Sequence, residues 1–219
     1  MVPGLFETIR VREGKVPFLA RHVARITASC QELGMAPPAP GVAQRIEAHA
    51  SGELIVRLTV DERGERIETR PAPPVEPMRI VFSGTRHEPY RHKTTGRDVF
   101  DRARARVVPY RADEAILLAH DGSMAEGCVT SIFFWHAGEL WTPTLDLDIL
   151  PGVGRGRVLE VARERGIHVN EGRFPRAAVE GLPIFLVNAV RGIMETTVHG
   201  EWRNQKDDRT RALADRFWG

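Results

Sequence analysis

Cysteine is almost missing from this sequence, with only Cys30 and Cys128 in 219 residues. They form no C-x-x-C pair and no disulfide framework, a pattern that fits a reducing compartment and predicts a cytoplasmic protein. Long apolar runs are absent too. None approaches the ~20 residues that span a bilayer, so no membrane association is expected. The opening stretch MVPGLFETIRVREG has no basic segment followed by an apolar run, and no secretory leader is read there. Blocks of one charge are also absent. The 31 basic and 29 acidic residues are interspersed, and RARAR at 102–106 reads as the wet face of a helix, so no nucleic-acid partner is expected. There are no repeats, heptads or low-complexity tracts. Neither G-x-S-x-G nor G-K-[ST] occurs, which leaves no support for a triad hydrolase or a P-loop.

Lysine is the most informative scarcity. It occurs only at Lys15, Lys93 and Lys206, so 28 of the 31 basic residues are arginine. Arginine can carry surface charge and bind phosphate or carboxylate. It cannot form a Schiff base at neutral pH, because its guanidinium stays protonated. Lys15 lies in the turn-like REGK and Lys206 in the polar NQKDD. Lys93 alone sits where chemistry is plausible.

What is present suffices for a sizeable core: 42% of residues are hydrophobic, enough for one large domain or two small ones. Residues 4–12 read as a strand, EGK as a turn and VPFL as a second strand. RHVARITASCQELGM has Val23, Ile26, Cys30 and Leu33 at helical spacing, with Gly34 as a C-cap. A helix near 41–50, the strand ELIVRLTV and a turn at ERGER follow. PAPPVEP at 71–77 is the clearest linker. It divides a small N-terminal α/β domain, residues 1–76, from a larger C-terminal one, residues 77–219. Beyond it, MRIVFS reads as a strand and DVFDRARARVV as a helix. EAILLAHDG and SIFFWHAGELWTP read as strands turning at DG and AG. DLDILPGVGR is a loop before the helix RVLEVARERG, IHV and IFLVNAVRGIMETTVHG are late strands, and the tail is polar and helical. The grouping predicts an α+β protein.

Several residues invite a chemical reading beside a plain one. Lys93 is either a solvated loop lysine or, among Tyr90, His92, Thr94 and Thr95, an amine nucleophile. Such an amine is activated when held near cations or out of water. Glu126 is either an exposed hairpin glutamate or a carboxylate at the edge of an apolar strand that needs a cation or a donor. ILPGVGRGRVLE is either a plain loop running into a helix or a set of backbone N–H groups that hold a phosphate. Arg25 and Arg191 are surface arginines or anion partners. His87, Glu88 and His92 form the one tight metal-type cluster. Their spacing is not that of a zinc protease and a third ligand is not evident, so no metal is expected.

Together these segments resemble the fold-type IV pyridoxal-phosphate enzymes, the class IV aminotransferase family. The central match is E-G-C-V-T-S-I-F at 126–133, L-W-T at 140–142 and L-P-G-V-G-R at 150–155. G-L-F-E-T-I-R at 4–10, H-V-A-R-I at 22–26 and H-K-T-T at 92–95 support it. Ser131 stands where the family usually has asparagine, and Gly154 where it often has threonine. The resemblance implies two α/β domains with pyridoxal 5'-phosphate between them, in a homodimer acting on a small amino substrate. Lys93 would be the Schiff-base lysine and the proton-transfer base, and Glu126 would face the pyridine nitrogen. Arg25, the backbone at Val153 and Gly154, and Asn188-Ala189-Val190 would hold the phosphate. Family members commonly carry about two dozen more residues, several strands' worth of chain, before the segment that begins here at Gly4. A shortened N-terminal domain is therefore expected.

Within the family, H-K-T-T-G-R, the D-V-F-D helix and V-N-A-V-R-G-I are similar to lyases that convert 4-amino-4-deoxychorismate to 4-aminobenzoate and pyruvate in folate biosynthesis. Arg191 and Arg91 are then candidates for the substrate carboxylates, and Thr8 for a polar group near the leaving pyruvate. A transaminase of branched-chain or D-amino acids would use the same lysine and acid. A non-catalytic relative with a decayed site is a third reading.

Overall fold

The structure, a computed structural model, describes residues 3–199 and 207–219. The chain forms two compact units. The first is Met1–Pro74 with Tyr90–Arg97 and Ala189–Arg191; the second is Val75–Pro89, Asp98–Asn188 and Gly192–Gly219. Lys206 lies outside the described residues.

The first unit opens with β1 (Leu5–Val11) and continues through α1 (Leu19–Glu32), α2 (Val42–Glu47), β2 (Leu54–Asp61) and β3 (Gly64–Pro71). The strands form an antiparallel sheet in the order β1-β2-β3. Leu5, Ile9 and Val11 share one face by the period-2 rule of a strand and pack with Leu19, Ile26, Cys30, Val42 and Ile46. Each of these apolar side chains removed from water contributes about 1.5–3 kcal/mol before chain entropy is counted. VPFL is not a strand. Phe18 takes a left-handed conformation, φ 61°, as the N-cap of α1, and the helix begins at Leu19. The turn at ERGER opens into β3, a mostly exposed edge strand whose charged residues left no apolar alternation to read.

The second unit is built on a sheet in the order β6-β5-β4-β11-β10-β7-β8-β9. Its strands are β4 (Met78–Arg86), β5 (Glu114–Leu118), β6 (Met124–Gly127), β7 (Ser131–His136), β8 (Glu139–Pro143), β9 (Val169–Gly172), β10 (Ile184–Asn188) and β11 (Gly192–Val198). The helices are α3 (Asp98–Val107), α4 (Val153–Glu164) and α5 (Asp208–Phe217). Parallel pairs join β4 to β5, β4 to β11 and β8 to β9, and the other pairs are antiparallel. Met78, Ile80, Ile116, Ile132, Phe134, Leu186 and Met194 supply the apolar interior. Three sequence expectations need correction. MAEG is strand β6 rather than hairpin turn. Helix α4 starts at Val153, taking in Gly154 and Gly156, which are weak helix formers and so read as loop. The strand expected at IHV begins only at Val169. Among the described residues no helix is long and apolar enough to cross a membrane.

Candidate active site

In the first unit, the segment carrying Lys93 lies along the open edge of β1. Phe6 N–H donates to the Lys93 carbonyl at 2.9 Å, and Thr95 N–H to the Gly4 carbonyl at 2.7 Å. A loop lysine is thereby fixed like a strand residue. Its half-buried ammonium sits 4.7 Å from the centre of the Phe6 ring. Arg57 lies over the same ring at 3.9 Å and Arg97 at 6.0 Å. Arg97 is steadied by a 2.9 Å bond to the Tyr90 hydroxyl, which donates to the Thr94 carbonyl at 2.9 Å. Burial, with Arg70 and Arg97 adding to it against Glu68, pulls the Arg57 guanidinium below its ordinary pKa. Thr8 pairs in register with Arg57 and alternates onto the same strand face as Phe6. These cations sit around one aromatic face, an arrangement suited to an anionic ligand.

Glu7 points to the other face of β1 and is almost wholly buried. Arg25 grips it with two nitrogens, at 2.7 and 2.6 Å, and His22 Nδ1 lies 2.7 Å from Oε2. Burial works to raise the Glu7 pKa, but Arg25 and His22 outweigh it and hold the carboxyl at about 2. His22 is pushed below its usual range, chiefly by burial. It is therefore neutral at pH 7 and donates from Nδ1, and among the described residues the buried Nε2 has no hydrogen-bond partner. Arg25, expected to meet a phosphate, is thus held in place by an acid that the sequence reading had not used.

In the second unit, Glu126 lies on β6 and is 5% exposed. His87 Nε2 is 2.9 Å from its Oε1, and Leu150 N–H donates to the same oxygen at 3.2 Å. The chain just past Glu126 is tied down by Glu114. That carboxylate accepts from Cys128 N–H at 3.0 Å, Val129 N–H at 3.1 Å and the Thr130 hydroxyl at 3.1 Å. The turn is so close that a Cβ on Gly127 would collide with Thr130 Oγ1. Val153 and Gly154 open α4 behind Gly152, which caps it with no side-chain bond. The first helical bond there runs from Gly156 N–H to the Gly152 carbonyl, at 2.9 Å. The N–H groups of the first turn therefore point out of the helix end, where they and the helix dipole favour an anion. Arg155 anchors that end by donating to the Pro143 carbonyl at 3.1 Å and pairing with Glu171. Asn188 ends β10 and donates to the Val129 carbonyl at 3.3 Å.

The candidates thus divide between the units. Lys93, Thr8, Arg25, Arg91, Ala189, Val190 and Arg191 belong to the first, and Glu126, Val153, Gly154 and Asn188 to the second. Arg91 is exposed, and Arg191 is half-buried in the β10–β11 turn with Ala189 and Val190. The metal-type cluster does not hold together. His87 is bound to Glu126, Glu88 pairs with Arg102 at 3.1 Å, and His92 meets Ser29 at 3.0 Å. Arg57, Arg97, Glu7, Glu114 and His87 in its bond to Glu126 were missed by the sequence reading. Only the F-E-T and H-V-A-R segments, fifteen residues apart and each carrying one polar residue on an apolar face, could have flagged the Glu7–His22 pair.

Within the second unit, a buried carboxylate with one oxygen left over and an open helix N-terminus suit the ring nitrogen and the phosphate of a phosphorylated pyridine; within the first, Lys93 is an amine of the kind an aldehyde takes up. The residues present therefore fit pyridoxal 5'-phosphate. The sequence model of class IV amino-transferases matches residues 4–197, and the chain belongs to that pyridoxal-phosphate-dependent family. It is 34% identical over 104 residues to the aminodeoxychorismate lyase of Bacillus subtilis, a match covering 46% of this chain and 35% of that one. It is 37% identical over 68 residues to a candidate branched-chain-amino-acid aminotransferase of Rickettsia bellii, covering 31% and 23%. The matched segments thus span about a third or less of these relatives' length. The fold is that of an aminotransferase from Brucella abortus solved with pyridoxal phosphate. That structure has a TM-score of 0.86 and 22% identity, with 99% of this chain and 89% of that one covered. The architecture is fold-type IV.

Proposed function

We propose that this protein converts 4-amino-4-deoxychorismate to 4-aminobenzoate and pyruvate, as a cytoplasmic homodimer serving folate synthesis. The observation that carries this reading is the gathering of Lys93, Arg57 and Arg97 around the Phe6 ring. The lyase substrate brings two carboxylates to its site, where a branched-chain amino acid brings one. Arg91 and Arg191 remain further candidates for these anions.

Lys93 is the residue that bonds the cofactor, and its Nζ takes the proton from the substrate carbon bearing nitrogen. When bound, pyridoxal phosphate supplies a ring that spreads the resulting charge. Glu126 keeps the pyridine nitrogen protonated through Oε2. Arg25, the N–H groups of Val153 and Gly154, and the Asn188-Ala189-Val190 segment hold the phosphate. Thr8 offers its hydroxyl to the departing enolpyruvyl oxygen. That C–O bond breaks, the substrate ring becomes aromatic, and the released enolate is protonated to pyruvate. Aromatisation makes the elimination downhill, so the protein mainly supplies placement and proton transfer.

The test is to load the protein with pyridoxal phosphate and supply aminodeoxychorismate with no keto acid. Release of pyruvate and 4-aminobenzoate is expected. Amino transfer from branched-chain or D-amino acids to 2-oxoglutarate or pyruvate, without lyase turnover, would overturn the choice. The Rickettsia match motivates that second reading. A protein that stays colourless with the cofactor added would instead support a non-catalytic relative. Borohydride reduction should label Lys93, and Lys93→Ala should lose both colour and activity. A label on Lys15 or Lys206 would mean that the lysine is misassigned.

A further inference from the structure

We propose that His87 is a positioning residue that fixes Glu126 through its Oε1, turning Oε2 toward the cofactor nitrogen; this rests on the pyridoxal-phosphate reading above.

The placement follows from the sheet. Arg86, the last residue of β4, pairs with Leu118 of β5, and Leu118 pairs with Met124 of β6. His87 is one residue further along and donates its own N–H to the Leu118 carbonyl at 2.8 Å. Its side chain thus crosses the end of β5 to reach the strand that carries Glu126. The Phe100 ring packs edge-on against the imidazole at 6.2 Å. Backbone and ring are both held, and His87 is only 3% exposed. Water has little room to replace it as a donor.

The two donors to Glu126, His87 Nε2 and Leu150 N–H, converge on Oε1. Among the described residues Oε2 accepts no hydrogen bond, so the two oxygens are inequivalent. A carboxylate with one oxygen held twice cannot rotate without breaking both bonds. Glu114 restrains the backbone just beyond it through Cys128, Val129 and Thr130. His87 donates from Nε2 to the ionised acid. A bare Nε2 would instead need the proton on Glu126, and a neutral acid would not serve a pyridinium.

The apoprotein is titrated with pyridoxal phosphate and followed by tryptophan fluorescence and by the visible band of the bound cofactor. His87→Phe, which keeps the bulk but loses the donor, should weaken binding about tenfold and shift the band. His87→Gln, which restores an N–H at similar reach, should stay within about threefold of wild type. In a Glu126→Gln background the His87→Phe change should add less than about twofold. Equal losses in His87→Phe and His87→Gln, or a His87→Phe loss undiminished without the Glu126 carboxylate, overturn the proposal in favour of plain packing. Wild type that loads normally while neither His87 variant differs from it sinks this proposal alone. Wild type that takes up no pyridoxal phosphate sinks the cofactor reading and this one with it. If His87→Phe does not fold, nitrogen NMR of the wild-type apoprotein decides: a proton on Nε2 supports the assignment, and a bare Nε2 overturns it.

Discussion

Glu7 in the first unit and Glu114 in the second are both buried to about 1% exposure, yet they are kept there by opposite means. Glu7 meets charge: Arg25 and His22 hold it at a pKa of about 2 against the pull of burial. Glu114 meets neutral donors. Burial raises its pKa, and bonds from Val129, Ala115 and Thr130, with the field of Arg104, only partly offset that. A carboxylate answered by a guanidinium and an imidazole strengthens an ionised site at pH 7. One answered by amides stitches a turn together and is held at an electrostatic cost.

The comparison breaks most visibly in Glu7→Ala. Removing the acid takes the buried carboxylate away from the Arg25 guanidinium and the His22 ring, and stability should fall by about 3–5 kcal/mol in urea titrations. A fall under 1 kcal/mol would mean that the cation clamp contributes little. Glu114→Gln should cost less, about 1–3 kcal/mol, because an amide oxygen still accepts while its NH2 faces backbone N–H groups.

Acid sharpens the contrast through sign. The folded pKa of Glu7 is below the ordinary 4.5, so its stabilisation is full above that value. It is lost as pH falls toward about 2, an amount on the order of 3 kcal/mol. The folded pKa of Glu114 is raised, so its contribution is full below the ordinary value and lost as pH rises through the folded one. The stability gap between wild type and Glu7→Gln should therefore be constant above pH 4.5 and shrink below it, whereas the gap for Glu114→Gln should change above that pH. Coincident windows would show that the two acids are not held differently.

The smallest effect concerns Cys128. Burial, with Glu114 adding to it, pushes this thiol up to about 12. It also donates to the Phe100 carbonyl at 3.3 Å. Native protein should resist a thiol reagent at neutral pH, with about a thousandfold less thiolate than an ordinary cysteine, and react on unfolding. Fast native labelling of Cys128 would mean that the turn tied by Glu114 opens readily.

The sequence disclosed the parts of this protein that depend on local pattern. Apolar spacing sufficed for α1, β2, β4 and β7, and the scarcity of lysine singled out Lys93. It did not disclose what depends on sheet order. His87 and Glu126 are 39 positions apart, and they meet only because β5 lies between β4 and β6. Arg57 looked like one more arginine until β2 paired with β1 and set it over Phe6. Glycines at 154 and 156 concealed the start of α4, because their low helix propensity is overridden by the anchoring of Arg155.

The pairing of Lys93 and Thr95 with the edge of β1 also bears on dissection of the molecule. The polypeptide passes from one unit to the other five times along its length. A single cut therefore cannot release either unit intact. A fragment ending at Pro74 would lack the strand-like segment 90–97 that carries Lys93. Gene fusion or circular permutation within this fold should carry both pieces together, since Lys93 belongs to one unit while the chain on either side of its segment runs in the other.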